Sequence, residues 1–376
     1  MNPVYILTHL LSTGGLVLTV FLLLSKPKQE NQKANNWLFL FLFWLSIIFL
    51  EESLQIIGLI NENDVVEDIL SIPLFLIAPT FYLSVYSFTL PKQKLKLKAL
   101  LHLLPIILYS LILIGVSAIL PNNLIIISPQ FWGDYISVTV TFLLFAQLIS
   151  YVILCLKTIR THQKNIQLFA SNTEDIDLTW LQRLIYGLIF MVLLWVMQVL
   201  LPTLTNFNSV LYLFAIYYLA YYALNQKEIY PFTEKETLEV IQLIEIKQAE
   251  PEPTTLILSL AQETEKERLN ELMIKEKPYL DNELSLPKLA ESFQTGTHQL
   301  SYLLNKGLND NFYDYVNRFR VEESKRLLLD KKFNHLSMVG IALEAGFNSK
   351  TAFNTAFKKF TGHTPSEFRK ANSLSQ

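Results

Sequence analysis

A single cysteine, Cys155, stands in the 376 residues, inside an apolar run; that excludes an intrachain disulfide and a thiolate metal cluster. Charge is scarce as well. Asp, Glu, Lys and Arg make up 17% of the chain against 51% apolar residues, where soluble domains average about 25% charged. The shortage is local: long stretches before Asn225 hold almost no charge, whereas the sequence from Lys227 onward is ordinarily polar. Two solvents are implied, and the net charge of −2 averages over unlike parts. No metal-ligand spacing, glycine-rich phosphate loop or nucleophile beside a base is found, so nothing points to an enzyme and no cofactor or metal is expected.

What the first part has is long apolar runs. Seven of them, near Tyr5 to Ser25, Trp37 to Ile60, Ile69 to Phe88, Leu100 to Leu120, Tyr135 to Leu156, Trp180 to Leu201 and Ser209 to Leu224, approach the roughly 17 to 25 residues that cross a bilayer as helix. The first has no basic residue ahead of it and no small-x-small site behind it, so it reads as a retained span and not a signal peptide. Lysine and arginine collect in alternate loops: Lys26, Lys28 and Lys33; Lys92, Lys94, Lys96 and Lys98; Lys157, Arg160 and Lys164. The even loops, Asn61 to Asp68, Pro121 to Asp134 and Pro202 to Asn208, carry none. Positive charge stays on the cytoplasmic side, which predicts a multi-pass protein of the bacterial cytoplasmic membrane with its N-terminus outside and its C-terminal part in the cytoplasm. Glu51 and Glu52 are carboxylates within a span, a costly placement that marks them as a candidate signal site; hydration near the outer end of their helix is the plainer explanation. Arg183 and His102 are expected to snorkel, and Tyr217, Tyr218, Tyr221 and Tyr222 to anchor at an interface.

Residues 225–262 read as a juxtamembrane linker: Thr233 to Gln248 mixes Glu with Leu, Val and Ile without a heptad pattern, which leaves a short signalling or dimerising helix open, and Glu250, Pro251, Glu252 and Pro253 read as a hinge. From Glu263 the apolar spacing becomes helical and turn signals divide it into seven short helices. Over His298 to Leu308, Leu300, Leu303, Leu304 and Leu308 share one face, leaving His298, Ser301, Tyr302 and Asn305 opposite. Over Lys350 to Thr361, Phe353, Phe357 and Phe360 are the buried stripe, leaving Thr351, Asn354, Thr355 and Lys358. The four exposed pairs, 298 with 351 through 305 with 358, all differ by 53 positions. Each helix follows a shorter one and a turn, so the device is a helix-turn-helix made twice. A helix over Asn311 to Leu329 joins them, roughly 28 Å at 1.5 Å per residue, near the 34 Å repeat of successive major grooves. Gly346 suits a positive φ, Gly362 a helix end, and Thr364, Pro365 and Glu367 a capped helix start.

Ile341-Ala342, Gly346-Phe347-Asn348-Ser349, Phe353, Phe357-Lys358, Gly362 and Thr364-Pro365 through Arg369 resemble the C-terminal signature of AraC/XylS regulators. Leu284-Ser285-Leu286, Leu289-Ala290, Leu300 and Asn317-Arg318 extend the resemblance over Tyr279 to Lys370, with Gln294 where the family often has glycine. Taken together, the apolar runs and this resemblance predict an all-α chain of a seven-helix transmembrane bundle (1–224), a linker (225–262) and a seven-helix cytoplasmic double helix-turn-helix domain (263–376), the resemblance itself implying only the last of these. It implies base contacts from Thr297, His298, Ser301, Tyr302, Lys350, Thr351, Asn354 and Thr355, with Asn305, Lys306, Ser349, Lys358 and Lys359 placed for phosphates. Promoter DNA and RNA polymerase are the partners it implies. The spans add the lipid bilayer, and a homodimer and an unidentified signal ligand stay open. From Asp281 onward 13 Lys and Arg stand against 10 Asp and Glu, a weakly basic +3. A transporter or channel with an accessory DNA-binding domain is the alternative, although no internal repeat or broken helix pair favours it.

Overall fold

A computed structural model describes residues 2–25, 31–60, 70, 72–89, 101–119, 129–174, 176–225 and 259–373, excepting the side chains of 112–119, 129–137, 202, 259–262 and 373. The linker helix and hinge, the 61–68 loop and Lys26, Lys28, Lys92, Lys94, Lys96 and Lys98 lie outside them. Among the described residues the chain is all-helical: α1 (Pro3–Ser25), α2 (Gln32–Ile56), α3 (Leu74–Thr89), α4 (Leu104–Ile119), α5 (Pro129–Ile166), α6 (Thr179–Leu200), α7 (Thr205–Leu224), α8 (Ser259–Glu276), α9 (Leu286–Ser292), α10 (Thr297–Tyr302), α11 (Phe312–Leu329), α12 (Met338–Glu344), α13 (Lys350–Thr361) and α14 (Pro365–Ser373). They form two compact units, Met1–Arg160 with Leu178–Glu228, and Thr161–Asp177 with Ile229–Gln376.

In the first unit α1 packs on α2 and α7, α2 on α3, and α6 on α7. Its polarity is inverted relative to a soluble bundle. Phe142 is 71% exposed and Phe214 68%, while Thr8, Ser12, Thr13, Ser53, Ser84 and Ser209 are buried. Small hydroxyls fit between close helices, and they return their hydrogen bonds to the backbone: Ser12 to Thr8 O at 2.8 Å, Ser53 to Phe49 O at 2.8 Å, and Ser84 across to Ala34 O at 3.1 Å. Among the described residues five helices are long and apolar enough to cross a membrane: α1, α2, the Val138–Ile166 part of α5, α6 and α7. The third and fourth expected spans, α3 and α4, have 16 residues each, about 24 Å of helix against a core of about 30 Å. Within the third run α3 begins at Leu74, directly after Pro73. The fifth departs in the other direction. The α5 helix does not stop at Leu156 but runs to Ile166.

The second unit closes on aromatics. Phe347, Phe353, Phe357, Ile341 and Ala342 pack with Val321, Leu327 and Leu328 of α11, and Phe368 covers them; burial of each large side chain is worth about 1.5 to 3 kcal/mol. Around α9 and α10 the buried set is Leu286, Leu289, Phe293, Leu300 and Leu304. Seven α-helices, α8 to α14, make up this region, as its turn signals predict.

Candidate nucleic-acid interface

The second helix-turn-helix, α12 and α13, is built from strong local signals. Ser337 caps α12 by accepting from Gly340 N at 3.1 Å, and Ser349 caps α13 by accepting from Ala352 N at 3.0 Å. Gly346 sits at φ 88° in the turn, where a Cβ would collide with the Tyr279 carbonyl oxygen and come within 2.9 Å of Leu280 Cα. Gly362 ends α13 at φ 80°. Thr364 N then donates to Glu367 Oε2 at 2.8 Å while Glu367 N donates to Thr364 Oγ1 at 3.3 Å, a reciprocal cap that holds the Glu367 carboxyl below the usual carboxylate range.

The first helix-turn-helix, α9 and α10, is looser. Gln294 takes the turn's positive φ, 57°, without being glycine, and α10 is capped by Gly296, which offers no side-chain acceptor. The expected helix from His298 to Leu308 is α-helical only to Tyr302 and continues as a π-helical turn over Leu303–Gly307. Leu300, Leu303 and Leu304 still point inward. The wider turn moves Asn305 and Lys306 out of strict correspondence with Lys358 and Lys359, and Asn305 Nδ2 donates back to Ser301 O at 2.8 Å.

His298, Lys350, Thr351, Thr355, Lys306, Lys358 and Lys359 are exposed, and Thr297, Ser301, Tyr302, Asn305, Ser349 and Asn354 half-buried. Leu300, Leu303, Leu304, Phe353 and Phe357 are buried as the spacing predicts, whereas Leu308 and Phe360, at the ends of the two stripes, are only partly buried. The basic surface is thinner than a charge count implies. Arg320 is 1% exposed, Lys359 Nζ donates to Asp314 Oδ1 at 2.6 Å, Lys325 to Glu322 at 2.7 Å, and Arg326 to Glu323 at 2.7 Å. Arg326 and Lys277 hold the Glu323 carboxyl below its ordinary range despite burial.

The family profile described as "Helix-turn-helix domain" matches residues 289–371. The C-terminal region is an AraC-type helix-turn-helix domain. Two relatives are similar over about a quarter of the chain. An uncharacterized HTH-type transcriptional regulator of Staphylococcus aureus strain COL is 32% identical over 91 residues, 24% of this chain and 12% of that one. The Msm operon regulatory protein of Streptococcus mutans is 31% identical over 87 residues, 23% of this chain and 30% of that one. The chain therefore spans about an eighth of the length of the first of these relatives. No solved structure matches the chain.

In the first unit the two carboxylates part company. Glu52 accepts from Tyr5 Oη at 2.6 Å and lies 3.9 Å from His9 Nδ1, whereas Glu51 accepts from Gln55, one turn along its own helix. Glu52, Tyr5, His9 and Tyr212 form the polar end of a cavity of about 710 Å³ whose other walls are largely aliphatic and aromatic. His102 Nδ1 meets Tyr151 Oη at 2.7 Å, and Arg183 lies 5.4 Å from the Tyr222 ring centroid, so both have side-chain partners.

Proposed function

We propose that this chain is a membrane-anchored one-component transcription regulator. Its double helix-turn-helix domain binds promoter DNA by sequence, meets RNA polymerase there, and answers to a signal sensed by the membrane part. The observation that carries this reading is the presence in one chain of five membrane-length apolar helices among the described residues and two helix-turn-helix units. Orientation rests on the loop charges, with the N-terminus outside and Lys157, Arg160 and Lys164 on the DNA side. Thr297, His298, Ser301, Tyr302, Lys350, Thr351, Asn354 and Thr355 read base edges. Ser349, Asn305, Lys306, Lys358 and Lys359 serve the backbone. The first part, residues 1–224, is the sensor and 225–262 the linker to the 263–376 domain. Of the two carboxylates, Glu52 is the one placed for a signal ligand, since it heads the cavity.

The test is enrichment of genomic fragments on the purified full chain in nanodiscs, with transcriptome comparison of a deletion strain. Fragments upstream of the genes that change support the reading; no enrichment over a variant carrying His298→Ala and Asn354→Ala contradicts it. For the sensor, Glu52→Gln alters promoter output at matched protein level and Glu51→Gln alters it less. Equal silence of both variants removes the cavity from the signalling path.

A further inference from the structure

The second unit contains a piece of chain that its sequence neighbours do not supply. Residues 161–177, which follow the fifth apolar run, belong to it. Their docking is dense and specific. Ala170 and Ser285 form an antiparallel bridge, in which Ser171 N donates to Leu284 O at 3.3 Å and Leu286 N donates to Phe169 O at 2.8 Å. Tyr313 N, in the first turn of α11, donates to Gln167 O at 3.0 Å. Ser171 Oγ donates to Leu284 O at 2.6 Å. Arg320 spends two of its five N–H donors on this segment, Nη1 to Ser171 O at 3.1 Å and Nη2 to Ser171 Oγ at 3.0 Å; the other three go to Tyr279 O, Asp281 O and Asn317 Oδ1. At the far end Ser349 Oγ donates to Glu174 Oε1 at 2.7 Å.

That last contact decides what the segment does. Ser349 caps α13, the second recognition helix. The first turn of such a helix, with its orphan N–H groups and the positive end of its dipole, is where a phosphate of the DNA backbone is met. The Glu174 carboxylate engages the capping hydroxyl there and would repel such a phosphate. We propose that the Gln167–Glu174 segment is a built-in partner of the helix-turn-helix domain that competes with DNA for the N-terminal end of α13. Release of the segment frees the Ser349 hydroxyl and two guanidinium donors of Arg320, so the surface it vacates gains affinity for phosphate. The segment directly continues α5, and a shift of that helix therefore bears on it through the chain. The inference rests on the DNA-binding reading above.

The test uses the full chain in nanodiscs with Cys155→Ser, and Ala170→Cys with Ser285→Cys. Residues 170 and 285 are a non-hydrogen-bonded antiparallel pair, whose Cα atoms lie about 4.5 Å apart, within disulfide reach. Oxidation then locks the segment in place and reduction frees it within one protein. The probe is the genomic DNA pool, titrated against both forms. The expected result is weaker binding in the oxidised form by on the order of tenfold, and tighter binding than the parent by Glu174→Ala without any lock. Equal affinity of the oxidised and reduced forms, or weaker binding by Glu174→Ala, overturns the competition while leaving DNA binding intact. A disulfide that does not form overturns the docking itself. If the disulfide forms and neither form nor the parent binds DNA, the DNA-binding reading fails, and the competition with it.

Discussion

The two helix-turn-helix units use one plan and differ in how firmly each holds its recognition helix. The second has a glycine in the turn at φ 88°, a serine cap, twelve residues of regular α-helix and a glycine stop. The first has glutamine at φ 57°, a glycine cap, six α-helical residues and then a π-helical turn. The difference teaches that geometry sufficient to present side chains does not require equal rigidity. We propose that α13 makes the firm, register-setting contact with DNA and that α10 adjusts to it.

The largest effect that tests this contrast is at the second turn. Gly346→Ala forces a side chain into a left-handed backbone and against the Tyr279 and Leu280 main chain, at a cost on the order of 3 kcal/mol. Hydrogen exchange at the Phe353 to Phe357 amides should rise accordingly. Protection unchanged from the parent removes the claim that this turn sets the unit. The first turn should respond in the opposite sense: Gln294→Gly relieves a positive φ and stabilises by about 1 kcal/mol. Loss of protection at Leu300 and Leu304 in that variant contradicts the strain reading.

Smaller still is the effect of the lysines. Lys358→Ala should reduce the dependence of log affinity on log salt by about one unit, and Lys359→Ala by less, because Asp314 already neutralises that ammonium. Equal slopes for the two variants break the distinction. Acid titration gives the mildest signal. Glu323 has a depressed pKa in the folded protein through Arg326 and Lys277. Its contribution to stability is therefore present above the ordinary carboxylate pKa and is lost as pH falls through the depressed value. Glu323→Gln flattens that limb of the pH–stability curve; an unchanged limb places the acid sensitivity elsewhere.

Much of this was legible in the chain because it rests on local signals. The apolar stripes of α10 and α13 follow the 3.6 period, and Gly346, Gly362 and Thr364 with Glu367 sit where single-residue backbone preferences demand. The π-helical turn after Tyr302 was not legible, since Leu303 and Leu304 satisfy an α pattern equally well. Nor was the docked 167–174 segment, whose partners Arg320 and Ser349 are 149 and 175 positions distant from Ser171 and Glu174. Arg320 counts toward a basic surface in a tally and is withdrawn from it in the fold. The division between Glu51 and Glu52 likewise needed the helix pairing, because only contact with α1 distinguishes adjacent carboxylates.

The central claim is that both recognition helices of one chain read bases in successive major grooves. Its most direct test is base-by-base selection of duplexes on the full chain, comparing the parent with His298→Ala and Asn354→Ala. The account predicts that each variant relaxes preference at its own position, that the two positions lie about 10 base pairs apart on one face of the duplex, and that Asn354→Ala costs on the order of 1 to 3 kcal/mol at the preferred site. Relaxation of both variants at one shared position, or uniform weakening over all sequences, would contradict it.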